Sequence, residues 1–207
     1  MKIAGIDEAG KGPVIGPLVV CGVLTENESE LKRIGLKDSK KLTPARREEL
    51  AERIREISDI YLVMIKPEKL DRMMQMMTIN EILENCYFEI IEELKPDLTY
   101  VDSPDVKPDR LEANLKKKTG RNVKAAHKAD EIYPVVSAAS IIAKVERDRE
   151  IEKLKEVAGD FGSGYASDEK TIKFLKEYFR RNRKYPQFVR KSWKTLNRIQ
   201  QQSLDEF

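Results

Sequence analysis

Four carboxylates stand where an α/β sequence can use them for chemistry. Asp7 and Glu8 directly follow a short apolar run, Asp102 closes another such run in "YVDSP", and Asp130 ends "HKAD". Because open α/β sheets place their sites at the carboxyl ends of strands, we expect three or four of these acids to converge. Crowded carboxylates repel one another, and a hard divalent cation relieves the repulsion. All-oxygen ligation suits Mg²⁺ or Mn²⁺.

A pair of divalent ions would give these acids a definite chemistry. Two ions a few ångströms apart can hold the attacking water and the leaving oxygen of a phosphodiester. If they bind metal ions, the acids predict metal-dependent hydrolysis of a phosphodiester. The alternative is that each acid only caps a helix or forms a turn, and spacing alone leaves it open because the chain has 36 acids. His127, the single histidine, either transfers protons or only orients its neighbours.

Further polar candidates lie on the helix that Pro134 is predicted to open. Ser137, Ser140 and Lys144 share one face of this helix, because their spacing brings side chains into line. Such a stripe, starting near Asp130, is able to hold a phosphate beside the metal ions. The alternative is a helix that packs its small residues, the alanines between these positions, against the sheet.

The apolar pattern predicts the elements that position these residues. We expect the strand over residues 3–7 to be followed by an antiparallel strand over 14–24, with a glycine-rich turn between them. Further strands are predicted at residues 59–65, 97–102 and 122–126. Helices are predicted at residues 44–57, 79–94, 111–118, 134–157, 171–181 and 191–200. Early strands and later helices indicate an α/β core with a helical C-terminal part.

Composition limits the class of protein. The chain has 207 residues, of which 40% are hydrophobic and 36% charged, as expected for a soluble globular protein. No run approaches the roughly 18 apolar residues of a membrane span, and the N-terminal residues do not resemble a signal peptide. Cys21 and Cys86 are far apart without metal-ligand spacing, so we expect reduced core thiols in a cytoplasmic protein. Nothing in the sequence demands more than a monomer.

Positive charge is concentrated in one segment. Residues 170–198 contain eleven Lys and Arg against one acid, with six aromatic residues interleaved, although the net charge of the whole chain is only +3. A basic segment with interleaved aromatic residues is typical of a nucleic-acid-binding surface. The alternative is a solvated helix face over a core.

Several blocks carry a family resemblance. "GIDEAGKGPVIGP" (residues 5–17) resembles the signature of the type 2 ribonucleases H, the ribonuclease HII family. "LKDSKKLTPARRE", "YVDSP", "HKADEIYPVVSAASIIAK" and "GSGYASD" are similar to its further blocks, in the same order. The resemblance implies an RNase H-like mixed sheet flanked by helices, with a helical C-terminal region. It divides the chain into a catalytic core (residues 1–158), a helical substrate-binding region (159–200) and a short tail (201–207).

The resemblance also implies an activity and a set of residues. The expected activity is two-metal hydrolysis of the RNA strand of RNA–DNA hybrids, and cutting 5′ to single ribonucleotides in duplex DNA, leaving 5′-phosphate and 3′-hydroxyl ends. The implied catalytic residues and metal ligands are Asp7, Glu8, Asp102 and Asp130. Backbone contacts to the 2′-hydroxyl are implied for Gly10, Lys11 and Gly12. Tyr165 is expected to stack on the sugar at the RNA–DNA junction. Candidate phosphate contacts are Ser39, Lys40, Arg47, Ser140 and Lys144.

The glycines fit this function for a physical reason. The 2′-hydroxyl is the group that distinguishes RNA from DNA at a given site. Glycine lets main chain approach it closely, because no Cβ intervenes. Without the resemblance, a plain hairpin turn explains the same glycines.

The C-terminal "QQSLDEF" contains a second pattern. Gln201, Leu204 and Phe207 resemble the box by which replication and repair proteins bind the sliding clamp PCNA. Leu204 and Phe207 would fill an apolar pocket as one helical turn. The usual box has two aromatic residues and this one has a single aromatic residue, so the alternative is a frayed polar terminus.

Other functions remain as alternatives. One is a non-catalytic nucleic-acid-binding module built on the basic segment. Another is a different metal-dependent nuclease with the same core, such as a junction resolvase. Type 3 ribonucleases H carry an extra N-terminal domain, for which a first acid at residue 7 leaves no room, and type 1 enzymes have a different motif order.

Overall fold

A five-stranded mixed sheet carries the first acids of the chain. Its strands are β1 (Ile3–Ala9), β2 (Leu18–Thr25), β3 (Asp59–Ile65), β4 (Leu98–Asp102) and β5 (Asn122–Ala126), in the spatial order β3-β2-β1-β4-β5. β1 pairs antiparallel with β2 and parallel with β4, and β4 pairs parallel with β5. The computed structural model describes residues 1–36 and 42–205, with the backbone alone for 202–205.

Helices account for most of the remaining described chain. They are α1 (Glu28–Arg33), α2 (Pro44–Ile57), α3 (Pro67–Met73), α4 (Ile79–Leu94), α5 (Pro108–Thr119), α6 (Ala129–Ile132), α7 (Pro134–Ala158), α8 (Glu169–Asn182) and α9 (Lys194–Asp205). Two predicted helix starts are confirmed by their caps. The Thr43 side chain accepts from the N–H of Arg46, and Thr78 forms a capping box with Glu81. None of the described helices is both long and apolar enough to cross a membrane.

The chain divides into two units. The first consists of Met1–Ala9, Val19–Met64 and Thr78–Glu146, and the second of Gly10–Leu18, Ile65–Met77 and Arg147–Phe207. The four predicted metal ligands belong to the first unit. The glycine loop, which is the segment of residues 10–17 between β1 and β2, and Tyr165 belong to the second.

Two glycines show which helix covers each face of the sheet. A Cβ at Gly5 would lie 2.3 Å from the backbone carbonyl carbon of Val135 in α7, and a Cβ at Gly22 would lie 2.2 Å from Cγ2 of Ile90 in α4. Gly22 pairs with Ile6, the neighbour of Gly5, and successive side chains of a strand point to opposite faces. Helices therefore pack on both faces, and the predicted α/β fold with a mixed sheet flanked by helices is confirmed.

The second unit has a core of its own. Phe161, which is fully buried, packs at ring-centroid distances of 5.7 Å from Phe174 and 6.0 Å from Phe188. Its other buried members are Val14, Ile15, Ile151, Leu175, Tyr185, Val189, Leu196 and Ile199. The aromatic residues of the basic segment thus pack against a core, as the alternative interpretation of that segment expected. Nine of its eleven basic residues are nonetheless exposed.

Several predicted boundaries are wrong, and two of them have a visible cause. The strand predicted from residue 14 begins at Leu18, because Pro17 has no N–H and the amides of Val14 and Ile15 donate to a loop carbonyl instead. The helix predicted over residues 191–200 spans Lys194–Asp205. Its start is delayed because Asp71 accepts from the N–H groups of residues 191 and 192, at 2.8 and 2.9 Å. The short helices α1, α3 and α6 were not predicted.

We expect Gly5→Ala to destabilise the first unit. The added methyl would meet the backbone of α7 at 2.3 Å, and backbone cannot move aside as a flexible side chain can. Overpacking of this kind costs typically about 1–3 kcal/mol. Chemical denaturation followed by circular dichroism measures it.

Gly120→Ala is the matched control for this change. Its Cβ would meet nothing within 4 Å, although φ of +66° strains any side chain. The expected cost is about 1 kcal/mol from backbone conformation alone. Equal destabilisation by both substitutions would contradict the packing argument.

Candidate active site

Asp7 and Glu8 are held by helices on opposite faces of β1. Asp7 lies on the same face as Gly5, which α7 covers, and its carboxylate accepts a hydrogen bond from the Ser140 hydroxyl. Glu8 points to the other face, where the hydroxyl of Tyr87 in α4 donates to Glu8 Oε2 at 2.7 Å. The alternation of a strand thus gives each adjacent acid a donor from a different helix.

The next strand brings in the third acid. Ile6 of β1 pairs with Val101 of β4, and the residues that follow them are Asp7 and Asp102. Asp102 Oδ1 accepts from the N–H of Ala129 at 2.8 Å, which ties the end of β4 to the start of α6. Asp130 is the next residue of α6 and is only 8% exposed. The four predicted acids therefore come from the ends of β1 and β4 and from α6.

Electrostatic repulsion links these acids. Burial, followed by the negative charges of Glu8 and Asp102, raises the pKa of Asp7 well above its ordinary value, against the opposing effect of the Ser140 hydrogen bond. The pKa of Tyr87 is raised by its complete burial and by Glu8, so its hydroxyl remains a donor. A cation bound among these carboxylates would favour the charged form of Asp7.

Ser140 and Lys144, predicted as phosphate contacts, lie beside Asp7. Lys144 Nζ donates to Ser140 Oγ at 2.8 Å, and Ser140 is 1% exposed. A chain of hydrogen bonds therefore runs from the ammonium group through the hydroxyl to the carboxylate. Ser137, the first residue of the predicted stripe, donates instead to the Leu36 carbonyl at 2.9 Å, which gives it a structural role.

The acids do not form a ready-made metal cage. Among residues 1–36 and 42–205, no three His, Cys, Asp or Glu side chains are arranged to hold an ion together. The donor set nevertheless has the chemistry that a hard divalent cation requires, since it consists of carboxylate oxygens, and burial together with the neighbouring charges keeps the pKa of Asp7 high. Ion binding would draw the carboxylates together.

In the second unit, the glycine loop lies against the loop that carries Tyr165. The Gly164 carbonyl accepts from the N–H groups of Val14 and Ile15, at 2.8 and 3.1 Å. A Cβ at Gly12 would lie 3.7 Å from Cε1 of Tyr165, and the Tyr165 side chain is 40% exposed. An exposed glycine backbone and an exposed aromatic ring are thus neighbours, an arrangement suited to contact with a sugar.

Sequence analysis missed the residues that hold the glycine loop. Arg190 was counted with the surface cations of the basic segment, yet it is fully buried and donates to carbonyls of the loop. The indole of Trp193 donates to the Gly12 carbonyl at 3.0 Å. Tyr87 was likewise predicted only as part of the apolar face of α4. Residue type and helical spacing gave no sign of these contacts.

The remaining predicted site residues either have other contacts, are exposed, or lie where the side chain is not described. Arg47 Nη1 donates to the Leu42 carbonyl at 2.9 Å, and His127 is exposed. Gln201 is exposed on α9, for Leu204 only the backbone is described, and Ser39, Lys40 and Phe207 lie outside the described residues.

Comparisons with known proteins identify the family. The family model of ribonuclease HII matches residues 4–196. The chain belongs to the ribonuclease HII family. Over 204 residues it is 59% identical to the ribonuclease HII of Archaeoglobus fulgidus, covering 99% of each chain.

Solved structures agree with the ribonuclease HII assignment. The chain superimposes with a TM-score of 0.92 on ribonuclease H2 from Pyrococcus horikoshii OT3, at 44% identity and covering 98% of each chain. It superimposes with a TM-score of 0.90 on the enzyme in a PCNA:RNase HII complex from Archaeoglobus fulgidus, at 60% identity, covering 94% of this chain and 96% of that one. The fold is therefore RNase H-like. The protein is a metal-dependent endonuclease whose family acts on the RNA of RNA–DNA hybrids.

We expect Tyr87→Phe to lower ribonuclease activity on an RNA–DNA hybrid by about tenfold, the effect of losing one hydrogen bond to a charged group. The substitution removes the hydroxyl that donates to Glu8 Oε2 and leaves the ring in place. Initial rates on a labelled hybrid measure the effect.

Tyr61→Phe is the matched control, because Tyr61 donates to Glu89 at 3.1 Å in an exposed Tyr–Glu pair. Its rate should equal that of the wild type. Equal rates for Tyr87→Phe and the wild type would show that Glu8 does not depend on Tyr87.

Proposed function

We propose that the protein cuts duplex DNA on the 5′ side of single embedded ribonucleotides, as well as the RNA strand of hybrids, and leaves 5′-phosphate and 3′-hydroxyl ends. The observation that carries the proposal is the set of mutually repelling carboxylates on adjacent strand ends, with the pKa of Asp7 raised by burial, Glu8 and Asp102. Family membership gives the general chemistry, and the glycine loop beside Tyr165 supplies the argument for ribose recognition.

In this proposal Asp7, Glu8, Asp102 and Asp130 bind two Mg²⁺ or Mn²⁺ ions. When bound, the ions supply activation of a water nucleophile and charge stabilisation at the leaving oxygen. Hydrogen bonds to Asp7 from Ser140, and to Glu8 from Tyr87, orient the carboxylates before an ion arrives.

Other polar groups take supporting roles in this mechanism. Lys144 places a positive charge two hydrogen bonds away from Asp7, through Ser140, where it partly offsets the crowded negative charge. We further propose that Lys144, Arg47, Ser39 and Lys40 contact substrate phosphates.

Selectivity for ribose is assigned to the second unit. The main chain of Gly10, Lys11 and Gly12 would contact the 2′-hydroxyl, and the Tyr165 ring would stack on the sugar at the junction. The exposure of Gly12 and its closeness to Tyr165 support this assignment. A deoxyribose would leave the main-chain groups of the loop without their partner, which is how a polar site rejects an analogue that lacks a hydroxyl.

A cleavage assay tests the proposed function. The substrate is a labelled DNA duplex with one ribonucleotide, with Mg²⁺, Mn²⁺ or EDTA. We expect a single cut 5′ to the ribonucleotide with either metal and none with EDTA. Asp102→Asn should slow cleavage by at least about a hundredfold, because it removes a charge that the bound ions require.

Asp59→Asn makes the same chemical change at an exposed strand start and should keep the wild-type rate. Cleavage of an all-DNA duplex at a similar rate would contradict ribose selectivity. Tight, salt-sensitive binding without cleavage would favour the non-catalytic binding module.

We also propose that the C-terminal tail binds the sliding clamp PCNA through Gln201, Leu204 and Phe207. The relative that is 60% identical over 94% of this chain was solved in a PCNA:RNase HII complex. Gln201 is exposed at the C-terminal end of α9, which extends to Asp205, so the helical form of the box is partly present.

Calorimetric titration with PCNA of Archaeoglobus fulgidus tests the tail. Deleting residues 203–207 should raise the Kd at least about tenfold, because it removes both apolar anchors. Asn197→Ala, at an exposed position one turn before the box, should leave the Kd unchanged. An unchanged Kd after the deletion would assign clamp binding to another surface.

A further inference from the structure

Arg190 is buried in a way that charged side chains seldom are. It is 0% exposed, whereas arginine usually lies at the surface. Its guanidinium donates from Nε to the Gly16 carbonyl at 2.9 Å, from Nη1 to the Lys11 carbonyl at 3.1 Å and from Nη2 to the Gly10 carbonyl at 2.6 Å. One side chain from the C-terminal region thus binds three carbonyls of the glycine loop.

Trp193 extends the same contact by one residue. Its ring lies 4.8 Å from Cζ of Arg190, in cation–π geometry, and its Nε1 donates to the Gly12 carbonyl at 3.0 Å. The carbonyls of three successive loop residues, Gly10, Lys11 and Gly12, are therefore all bound from one side by Arg190 and Trp193.

Because the carbonyls of Gly10 and Lys11 are bound, the directions of the N–H groups that follow them are also fixed. In a trans peptide the C=O and the following N–H point in opposite directions, and the described chain has no cis peptide bond. The N–H groups of Lys11 and Gly12 therefore point away from Arg190. The peptide after Gly12 presents no donor, because Pro13 has no N–H. The loop thus directs two main-chain donors to its side opposite Arg190.

Burying the Arg190 guanidinium lowers the stability of the folded protein. Burial, together with the charge of Arg147, lowers the pKa of Arg190 to about 9, which reflects the penalty on a buried cation. An apolar side chain would avoid that penalty and would leave three loop carbonyls without these donors. A buried charge in this place is explained by the need to fix the loop.

We propose that Arg190 and Trp193 are positioning residues for ribose recognition, because they orient the main-chain donors of Lys11 and Gly12 that discriminate a ribonucleotide from a deoxynucleotide. The inference rests on the proposed function, in which this loop contacts the 2′-hydroxyl. It adds two residues that touch no substrate and act through the loop.

A selectivity ratio tests the proposal. The Kd is measured in an Asp102→Asn background, which is expected to slow cleavage by at least about a hundredfold. It is measured for a DNA duplex with one ribonucleotide and for the same duplex made of DNA alone. Arg190→Lys keeps the charge and loses the three-way contact, so the preference for the ribonucleotide should fall about tenfold or more. Trp193→Phe keeps an aromatic ring beside Arg190 and loses one hydrogen bond, so a two- to fivefold fall is expected, which is the effect of about 0.5–1 kcal/mol.

Lys191→Gln is the matched control. Lys191 is exposed, its backbone N–H is bound by Asp71, and the change removes one positive charge next to Arg190. It should weaken binding of both duplexes together and leave the ratio unchanged. Thermal unfolding of each variant establishes that it is folded.

The outcomes distinguish a failure of the proposed ribose recognition from a failure of the positioning role of Arg190 and Trp193. A parent protein with no preference for the ribonucleotide overturns the proposed ribose recognition itself. A preference that survives in folded Arg190→Lys and Trp193→Phe overturns only the positioning role. If Arg190→Lys does not fold, Trp193→Phe decides, and an unchanged ratio in that variant counts against the proposal.

Discussion

The alternation of side chains along β1 is the constraint on which the carboxylate site depends. Asp7 and Glu8 are adjacent, so they must point to opposite faces of the sheet, and a helix on one face alone could not bind both. The fold meets this requirement with α7 on one face and α4 on the other, each with a hydroxyl donor for the acid it covers. Gly5 completes the arrangement, because its missing side chain lets α7 approach the strand.

Each unit contains a buried charged residue that lowers its stability and that belongs to the proposed functional machinery. In the first, Asp7 is buried beside two other negative charges, which disfavours its ionised form. In the second, a fully buried arginine binds main-chain carbonyls. Natural sequences depart from the rules of stable packing mainly at functional sites, and here both departures involve residues that position the proposed chemistry.

The sequence predicted most of the strands and the longer helices, because apolar periodicity is a local signal. It could not predict Tyr87 as the partner of Glu8, since the two are 79 positions apart and Tyr87 also fits the apolar face of its helix. Arg190 was assigned to the surface because charged side chains are usually exposed. The sequence does not show which carbonyls a particular guanidinium binds. The aromatic residues of the basic segment were misleading for a related reason, since Phe174 and Phe188 pack on a core.

The hydrogen bond between Arg190 and the Gly10 carbonyl also affects the order in which parts of the protein become structured during synthesis. It joins residues 180 positions apart, so the glycine loop leaves the ribosome well before Arg190 does. At a synthesis rate of roughly 5–20 residues per second, on the order of 10–40 seconds pass between synthesis of the loop and synthesis of Arg190. A nascent chain therefore carries the four acids before Arg190 can fix the glycine loop, and a translation product truncated before residue 190 would lack that contact.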